Sequence, residues 1–338
     1  MNNQYIYDGG ALKLESLFSF HDLIGEVIAL QREIPLKIAE LREILEANEA
    51  PEILPSRFCK KPYECEFWEY CTREKPEFWV MQLSGITQNK LDELAGLRIE
   101  DICEIPGSFP LSNLQERIRD CVVNSNEYTS PELAGQVNDV EYPVHFLDFE
   151  TINPAIPRYA GTRPYQTVPF QWSDHILSEN GTIEHRQYLC DEAKDPREEF
   201  AGSLLEALES RGTIIVYTSY ESRVLKEIAE SLPEYRDRLL ALLDRFKDLH
   251  ALVRNYVYHP EFHGSFSLKS VLPALVPPMS YDNLAIQDGN HASVEYLKML
   301  DPATPFDERD KIKQSLIGYC GHDTMGMVKI REELLKRG

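Results

Sequence analysis

The chain has 338 residues, of which 43% are hydrophobic and 10% aromatic, so it exceeds one domain of about 100–200 residues and has ample material for a buried core. It has no run of about 18 apolar residues and no secretory signal in its opening MNNQYIYDGG, so we expect a cytoplasmic protein without a membrane span. The net charge of −21, from 56 acidic and 35 basic residues, excludes a uniformly basic nucleic-acid-binding surface but not a local basic groove.

The first third of the chain is predicted to be mainly α-helical. Residues 12–49 carry apolar side chains at helical spacing, whereas residues 51–75 combine cysteine, proline and aromatic residues in an irregular knuckle. Residues 76–123 read as helix, turn, helix, and the polar, turn-rich residues 124–138 are predicted to be a linker. The expected domains are therefore 1–75, 76–125 and 139–338.

Three cysteines in the knuckle, Cys59, Cys65 and Cys71, recur every six residues. Thiols at such short spacing favour an iron–sulfur cluster or a soft metal over disulfides, with buried free thiols as the alternative. Zinc fits less well, because zinc knuckles usually pair cysteines two to four residues apart. The remaining cysteines are predicted to be reduced core thiols, namely Cys103, Cys121, Cys190 and Cys320.

The cysteine spacing resembles the C-terminal part of the iron–sulfur staple of RecB-like nucleases. This resemblance implies that residues 1–75 are the remnant of a RecB-like nuclease domain, and that such a domain is a partner or a missing segment. The staple has a further cysteine far upstream, and no cysteine precedes Cys59. Residues 83–107, LSGITQNKLDELAGLRIEDICEIPG, resemble a helix–hairpin–helix element that contacts nucleic-acid backbone, although a plain helical hairpin explains them equally well.

From Val140 onwards the pattern is α/β. EYPVHFLDFE is predicted to be a strand, and TVPFQWSDHIL and TIEHRQYLC a strand pair around the turn SENG. A helix at about 196–210 precedes the short buried strand TIIVY, and helices follow in SYESRVLKEIAESL, near 234–257 and near 267–275. Residues 306–336 are predicted to form one long helix or two.

Four acidic residues and a tyrosine are candidates for a metal site. Asp148 and Glu150 lie two apart on a strand and so share a face, where they repel each other unless a cation such as Mg²⁺ or Mn²⁺ binds. Glu221 lies in the first turn of a helix, and Tyr319 and Asp323 are i and i+4 on another. Taken singly, each also has an ordinary explanation, as solvated strand-end polarity, helix-dipole charge or unrelated surface residues.

The order of these motifs resembles the DEDD exonuclease superfamily, in its tyrosine-containing branch. The motifs are FLDFET, VYTSYE and YCGHD. The resemblance implies an RNase H-like mixed sheet flanked by helices and a metal-dependent 3′–5′ exonuclease acting on a single-stranded 3′ end. Asp148, Glu150, Glu221 and Asp323 would hold two Mg²⁺ or Mn²⁺ ions, and Tyr319 would position the attacking water. The family usually has aspartate where this chain has Glu221.

Two longer stretches also resemble an uncharacterised bacterial family in which this exonuclease-like domain follows a RecB-like nuclease domain. They are FETINPAIPRYAGTRPYQTVPFQWSDHIL and FSLKSVLPALVP. Tyr165, Phe170, Gln171 and Trp172 are candidates for cradling a terminal base, although Phe170 and Trp172 equally fit one core face of a strand. Asp248 is a possible extra acid and is better explained as a helix cap.

Two other functions fit the same residues. One is a non-catalytic RNase H-like module that binds nucleic acid or protein and whose metal site has decayed at Glu221. The other is hydrolysis of a nucleotide or another small phosphoester, because the same metal chemistry serves both substrates. A serine or cysteine nucleophile scheme has no supporting constellation, because the histidines are dispersed.

Overall fold

The computed structural model describes residues 1–338 and has seven strands and fourteen α-helices. The strands are β1 (Tyr128–Thr129), β2 (Val144–Ile152), β3 (Val168–Leu177), β4 (Ile183–Leu189), β5 (Ile214–Val216), β6 (Phe246–Asp248) and β7 (Val257–Tyr258). The helices are α1 (Leu14–Leu17), α2 (Ile24–Leu30), α3 (Ile34–Glu46), α4 (Trp68–Thr72), α5 (Gln88–Gly96), α6 (Asn113–Asn124), α7 (Leu133–Asn138), α8 (Arg197–Ala207), α9 (Tyr220–Ser231), α10 (Arg236–Leu242), α11 (Leu249–Tyr256), α12 (Leu268–Leu275), α13 (Gly289–Met299) and α14 (Phe306–Arg337). None of the helices has the length and apolar composition needed to cross a membrane.

The main sheet has five strands in the order β4-β3-β2-β5-β6. Strands β2, β3 and β4 form an antiparallel meander, which short turns can connect. Strands β5 and β6 run parallel to β2, and helices α8 and α9–α10 provide the crossovers that parallel strands require. The predicted α/β architecture, a mixed sheet flanked by helices, is confirmed.

Strand β2 is buried on both faces, at the centre of the sheet. Val144, Phe146 and Ile152 belong to the larger hydrophobic core, which also contains residues of α12, α13 and α14. Leu147 and Phe149 belong to the smaller core, against α8, α9 and α10. Because side chains alternate along a strand, the even-numbered positions of β2 face α14.

The C-terminal segment is one continuous helix of 32 residues, α14. It packs across β2 and β3 and also contacts α7, α12 and α13. The contact with α12 is close, because a Cβ atom on Gly326 would lie 2.8 Å from Leu272 Cδ2. Helix α14 therefore holds its middle turns against the central strand of the sheet.

Residues 124–138 are not a linker, so that prediction is wrong. Strand β1 pairs antiparallel with β7, and α7 buries Leu133 and Val137 against the rest of the protein. Most of the segment is polar because it lies at the surface, and these two apolar residues, four apart on one helical face, are enough to fix it. The larger core accordingly runs from Trp79 to Leu334.

Helices α2 and α3 form within the predicted helical region but bury no side chains. Their apolar residues, including Ile28, Leu36 and Leu41, are exposed. The preceding residues are better anchored, because Tyr5 and Leu17 are buried and Tyr7 N donates to Thr162 O at 2.9 Å. The two helices therefore connect an anchored N-terminal segment to the cysteine-containing region without packing on the core.

Candidate metal centre

A cavity of about 550 Å³ opens beside the end of β2. Four acidic residues line it, Asp148, Glu150, Asp288 and Asp323, together with Tyr319. No lysine, arginine or histidine is among the lining residues. The structure therefore brings two of the three predicted motifs, which are separated by about half the chain, into one strongly anionic pocket.

The packing of α14 on β2 creates this convergence. Asp148 and Glu150 occupy the face of β2 that α14 covers, and Tyr319 and Asp323 lie one turn apart on that helix. Cys320, on the same helix, approaches closely: its Sγ donates to Asp148 Oδ2 at 3.5 Å. Potential ligand atoms of Asp148, Glu150 and Cys320 all lie within 4.8 Å of one another.

Asp148, Glu150 and Asp323 have raised pKa values, chiefly because burial removes water from their charged forms. Burial raises the pKa of Asp148 well above its usual range, and the charges of Asp323, Glu150 and Glu221 raise it further. The pKa of Glu150 is raised well above its usual range by burial and by Asp323, although Lys269 opposes the shift. An uncompensated cluster of this kind favours either protonation or a bound cation.

The pKa of Asp323 has a milder shift because three neighbours favour its charged form. Burial raises its pKa to about 6, and a hydrogen bond from Tyr281, the charge of Lys269 and Tyr319 lower it. The Tyr281 hydroxyl donates directly to Asp323 Oδ1. Partners of this kind orient a ligating carboxylate and keep it ionised.

Glu221 is beside the pocket but not part of its lining. It lies in the first turn of α9, is 3% exposed, and its Oε2 has no hydrogen-bond partner. Burial, together with the nearby charge of Asp248, raises its pKa to about 8. The Asp248 side chain caps α11 by accepting from Ala251 N at 2.7 Å, which confirms the helix-cap explanation.

Three residues around the acids were not candidates in the sequence. Asp288 caps α13 by accepting from His291 N at 2.8 Å, and Tyr281 and Lys269 reach Asp323 from outside the predicted motifs. Cys320 was predicted to be an ordinary core thiol, although its position inside YCGHD, three residues before Asp323, was a signal that it would lie near the acids. A tyrosine in a loop before α13 offers no comparable signal.

The candidate base-binding residues are not in the pocket. Gln171 and Trp172 are buried: Gln171 Nε2 donates to Leu316 O at 2.9 Å, and Trp172 Nε1 donates to Ser203 Oγ at 3.0 Å. Phe170 is buried and stacks on Tyr296. These three side chains are therefore part of the core, whereas Tyr165 is 59% exposed and does not line the cavity.

The structure does not gather the three knuckle thiols at one point. Cys59 is half-buried and accepts from Ser56 N, whereas Cys65 and Cys71 are exposed, and the three do not form a group with converging ligand atoms. Cys121, Cys190 and Cys320 are buried and free, as expected. The prediction was wrong for Cys103, which is exposed. It lies in a surface 3₁₀ turn capped by Asp101, in which the adjacent Ile102 is the buried residue.

Comparison with known proteins gives one family match. The model of a family described as a domain of unknown function, DUF2779, matches residues 145–267. The matched region contains Asp148, Glu150 and Glu221 and ends before Tyr319 and Asp323. None of the curated proteins and none of the solved structures compared with the chain matches it.

Proposed function

We propose that this protein is a metal-dependent 3′–5′ exonuclease that hydrolyses nucleic-acid phosphodiester bonds. The observation that carries the proposal is the shared cavity of Asp148, Glu150 and Asp323, to which distant parts of the chain contribute buried acids with raised pKa values. Burying several carboxylates together without a cation lowers stability, so such a cluster indicates a ligand-binding function.

The donor set fits small, hard divalent cations. Carboxylate oxygens are the ligands that Mg²⁺ and Mn²⁺ prefer, and Asp148, Glu150 and Asp323 would hold them, with Glu221 supplying its unpartnered buried oxygen. When bound, such ions lower the pKa of a coordinated water and stabilise the charge on a leaving oxygen. Cys320 adds one sulfur atom, a softer donor that Mg²⁺ does not favour.

Tyr319 would orient the attacking water molecule. Its side chain lines the cavity and is 5% exposed. Burial and the charges of Asp323, Glu150 and Asp148 raise its pKa, so the phenol keeps its proton throughout the neutral range. A protonated hydroxyl at the cavity wall both donates and accepts hydrogen bonds, which suits positioning better than proton abstraction.

The RNase H-like assignment, the 3′–5′ polarity and the choice of nucleic acid as substrate are supported by the motif resemblance. The fold is compatible with it, because the mixed sheet carries the first motif on its central strand and the second after β5. Glutamate replaces the usual aspartate at the second motif. Its longer side chain starts from the first turn of α9 and is buried beside the pocket rather than in its lining.

The test is hydrolysis of 5′-labelled single-stranded DNA and RNA oligonucleotides in Mn²⁺, Mg²⁺ or EDTA, with products separated on denaturing gels. We expect metal-dependent shortening from the 3′ end. Asp148→Asn should lower the rate by more than about 100-fold, because it removes a ligand itself rather than one of its outer partners. Asp237→Asn is the matched control, because Asp237 is exposed and forms no ion pair.

A folded protein that binds oligonucleotide but shows no metal-dependent hydrolysis would contradict the proposal and support the non-catalytic module. Hydrolysis of bis-p-nitrophenyl phosphate or a nucleotide, without any shortening of oligonucleotides, would indicate the small-phosphoester function instead. Equal activity in wild-type protein and Asp148→Asn would assign the hydrolysis to a contaminant or to another site.

A further inference from the structure

A second cavity, of about 640 Å³, lies between the cysteine-containing segment and two turns of the main body. Four cationic side chains line it, Arg57, Lys60, Lys61 and Lys75, and no aspartate or glutamate is among its lining residues. The chain as a whole has 56 acidic and 35 basic residues. The lining of this cavity is therefore positively charged although the protein is negatively charged. We call this cavity the basic groove.

The basic groove also contains an aromatic surface. Trp68 is half-buried and lines the groove, and the Lys60 ammonium lies 4.4 Å from the centre of its ring. Trp79 also lines the groove, and its ring packs against that of Trp68 with 5.9 Å between the ring centres and a tilt of 38°. Cations beside an indole ring are the combination that binds single-stranded nucleic acid, through phosphate contacts and base stacking.

Close backbone packing holds one wall of the groove in place. Gly264 has φ of +74°, and a Cβ atom there would lie 1.5 Å from the carbonyl oxygen of Gln82. Phe78 stacks on His263, with ring centres 5.7 Å apart. The turn at residues 263–265 is therefore fixed against residues 78–82 by contacts that only glycine permits.

Two of the groove cations are free to bind an anion. Lys75 is paired with Glu100 at 2.6 Å, and Lys60 is 3.5 Å from Glu64. Arg57 and Lys61 are exposed and belong to none of the ion pairs in the structure, which run from the Lys13–Asp8 pair to the Arg337–Glu333 pair. These two residues can therefore bind an anion without first breaking an ion pair.

We infer that the basic groove binds a single strand of nucleic acid, with phosphates at Arg57 and Lys61 and a base on Trp68. A duplex would hide its base faces from the indole ring, and an acidic peptide would use the charges but not the ring. An anionic membrane surface requires projecting apolar side chains, whereas this site is concave. The inference concerns binding and does not depend on hydrolysis at the carboxylate cavity.

The groove also lies near that cavity along the chain. Ser265 lines the groove, and Lys269, four residues later, lowers the pKa of both Glu150 and Asp323 through its charge. Four residues span at most about 14 Å. The segment that forms one wall of the groove therefore leads within four residues to a cation that acts on the acids of the other cavity.

The test is fluorescence anisotropy of a 5′-fluorescein-labelled dT15 oligonucleotide, titrated with the full chain in EDTA at several NaCl concentrations. We expect Arg57→Ala/Lys61→Ala to weaken binding by about tenfold or more, and to reduce the slope of log affinity against log salt by about 1.4. Lys226→Ala/Arg238→Ala is the matched control, because both residues are exposed, outside the groove, and change the net charge equally. Circular dichroism melting establishes that all variants fold.

A tryptophan variant distinguishes nucleic acid from other anions. Trp68→Ala should weaken oligonucleotide binding by about tenfold and leave the binding of inorganic polyphosphate unchanged, whereas Trp68→Phe should retain most of the oligonucleotide affinity. The inference is overturned if the groove variant binds dT15 as tightly as its control. It is equally overturned if wild-type protein binds anionic vesicles or polyphosphate but not dT15. Because EDTA prevents metal-dependent hydrolysis, an inactive carboxylate cavity would leave these results unaffected.

Discussion

Glu221 and Asp323, at the candidate metal centre, should make the stability of the metal-free protein depend on pH. Glu221 has a pKa of about 8 and Asp323 of about 6 in the folded state, both above their ordinary values of 4.5 and 3.8. An acid whose pKa is raised by folding does not lower the free energy of unfolding at pH values below its ordinary pKa. As the pH rises through its folded-state pKa, the free energy of unfolding falls. We therefore expect the melting temperature in EDTA to fall between pH 5 and pH 8 because of these residues.

Divalent cations should reverse that loss. At pH 8, Mn²⁺ should raise the melting temperature of wild-type protein, because binding to the folded state adds stability. Asp148→Asn in EDTA should melt at a higher temperature than wild type at pH 8, and should respond less to Mn²⁺, since one repelling charge and one ligand are gone. A Mn²⁺ response of equal size in both proteins would show that the ion binds elsewhere.

Tyr281 is expected to support the metal centre through Asp323. Its hydroxyl donates to Asp323 Oδ1, which favours the charged carboxylate. Tyr281→Phe removes that bond, so the pKa of Asp323 should rise and the Mn²⁺ concentration needed for half-maximal activity should increase by about 10–100-fold. The measurement is a Mn²⁺ titration of exonuclease activity at several pH values.

The same substitution has a matched control. Tyr296→Phe removes a buried hydroxyl that has no hydrogen-bond partner and lies outside the cavity. It should leave the Mn²⁺ requirement unchanged. If Tyr281→Phe merely loosened the fold, raising the pH would not restore activity; restoration at higher pH is expected if the lost bond acts on the ionisation of Asp323.

Local periodicity is enough to pair the acids of the first motif and the tyrosine and aspartate of the third. Strand alternation placed Asp148 and Glu150 on one face, and helical spacing placed Tyr319 and Asp323 together; both pairs line the cavity. Tyr281 could not be found in this way, because it lies outside any element and reaches the site only through tertiary packing. Alternation also placed Trp172 on a strand, but could not tell a core-facing ring from one facing a ligand.

At the scale of elements, Gly264 is the clearest test of the packing that forms the basic groove. Gly264→Ala should lower the free energy of unfolding by about 2 kcal/mol or more, because the added Cβ meets the carbonyl oxygen of Gln82 and φ is positive. It should also weaken dT15 binding, since the wall at residues 263–265 must move. The measurements are urea unfolding and the anisotropy titration.

Gly135→Ala is the control for that substitution. Gly135 lies within α7, and a Cβ atom there meets nothing within 4 Å. Alanine should therefore stabilise the protein by about 0.5–1 kcal/mol, since glycine is the weaker helix former. A loss of stability at Gly135 comparable with that at Gly264 would show that the glycine contacts are not what distinguishes the two positions.

Elements with a strong repeating pattern were predicted well, and those whose pattern is diluted by polar residues were not. The strands of the β2–β3–β4 meander and the long helix α14 follow the sequence expectation. The sequence pattern does not predict helix α13 and predicts a linker at residues 124–138, because only a few buried side chains fix each of these segments. The composition of a segment describes its residues on average. Whether the segment packs on the core depends on one or two residues that become buried.

Across the whole molecule, stability should be unevenly distributed. Helices α2 and α3 bury no residues, whereas β2 and the middle of α14 lie in the core. Hydrogen exchange monitored by mass spectrometry should show rapid exchange in residues 24–46 and strong protection in residues 144–152 and 312–330. Strong protection of both helices would mean that another molecule, such as a second copy of the chain, covers their apolar residues.

Features of the whole molecule were the hardest to predict from the sequence. The strand order and the basic groove both depend on which remote segments meet, and a net charge of −21 gives no indication of where positive charge collects. Arg57 and Lys61 are close neighbours in residues 51–75, which also contain five glutamates, so local charge counting conceals them. Only the fold separates these cations from the acids nearby.

The position of α14 has a consequence for the order of events during biosynthesis. Asp148 and Glu150 are made about 170 residues before the tyrosine and aspartate that complete the cavity, and α14 also covers the face of β2 on which those two carboxylates lie. Until residues beyond 306 have left the ribosome, water can reach both carboxylates and the cavity is incomplete. If the proposed exonuclease function is right, nascent chains should therefore lack it until α14 covers the central strand.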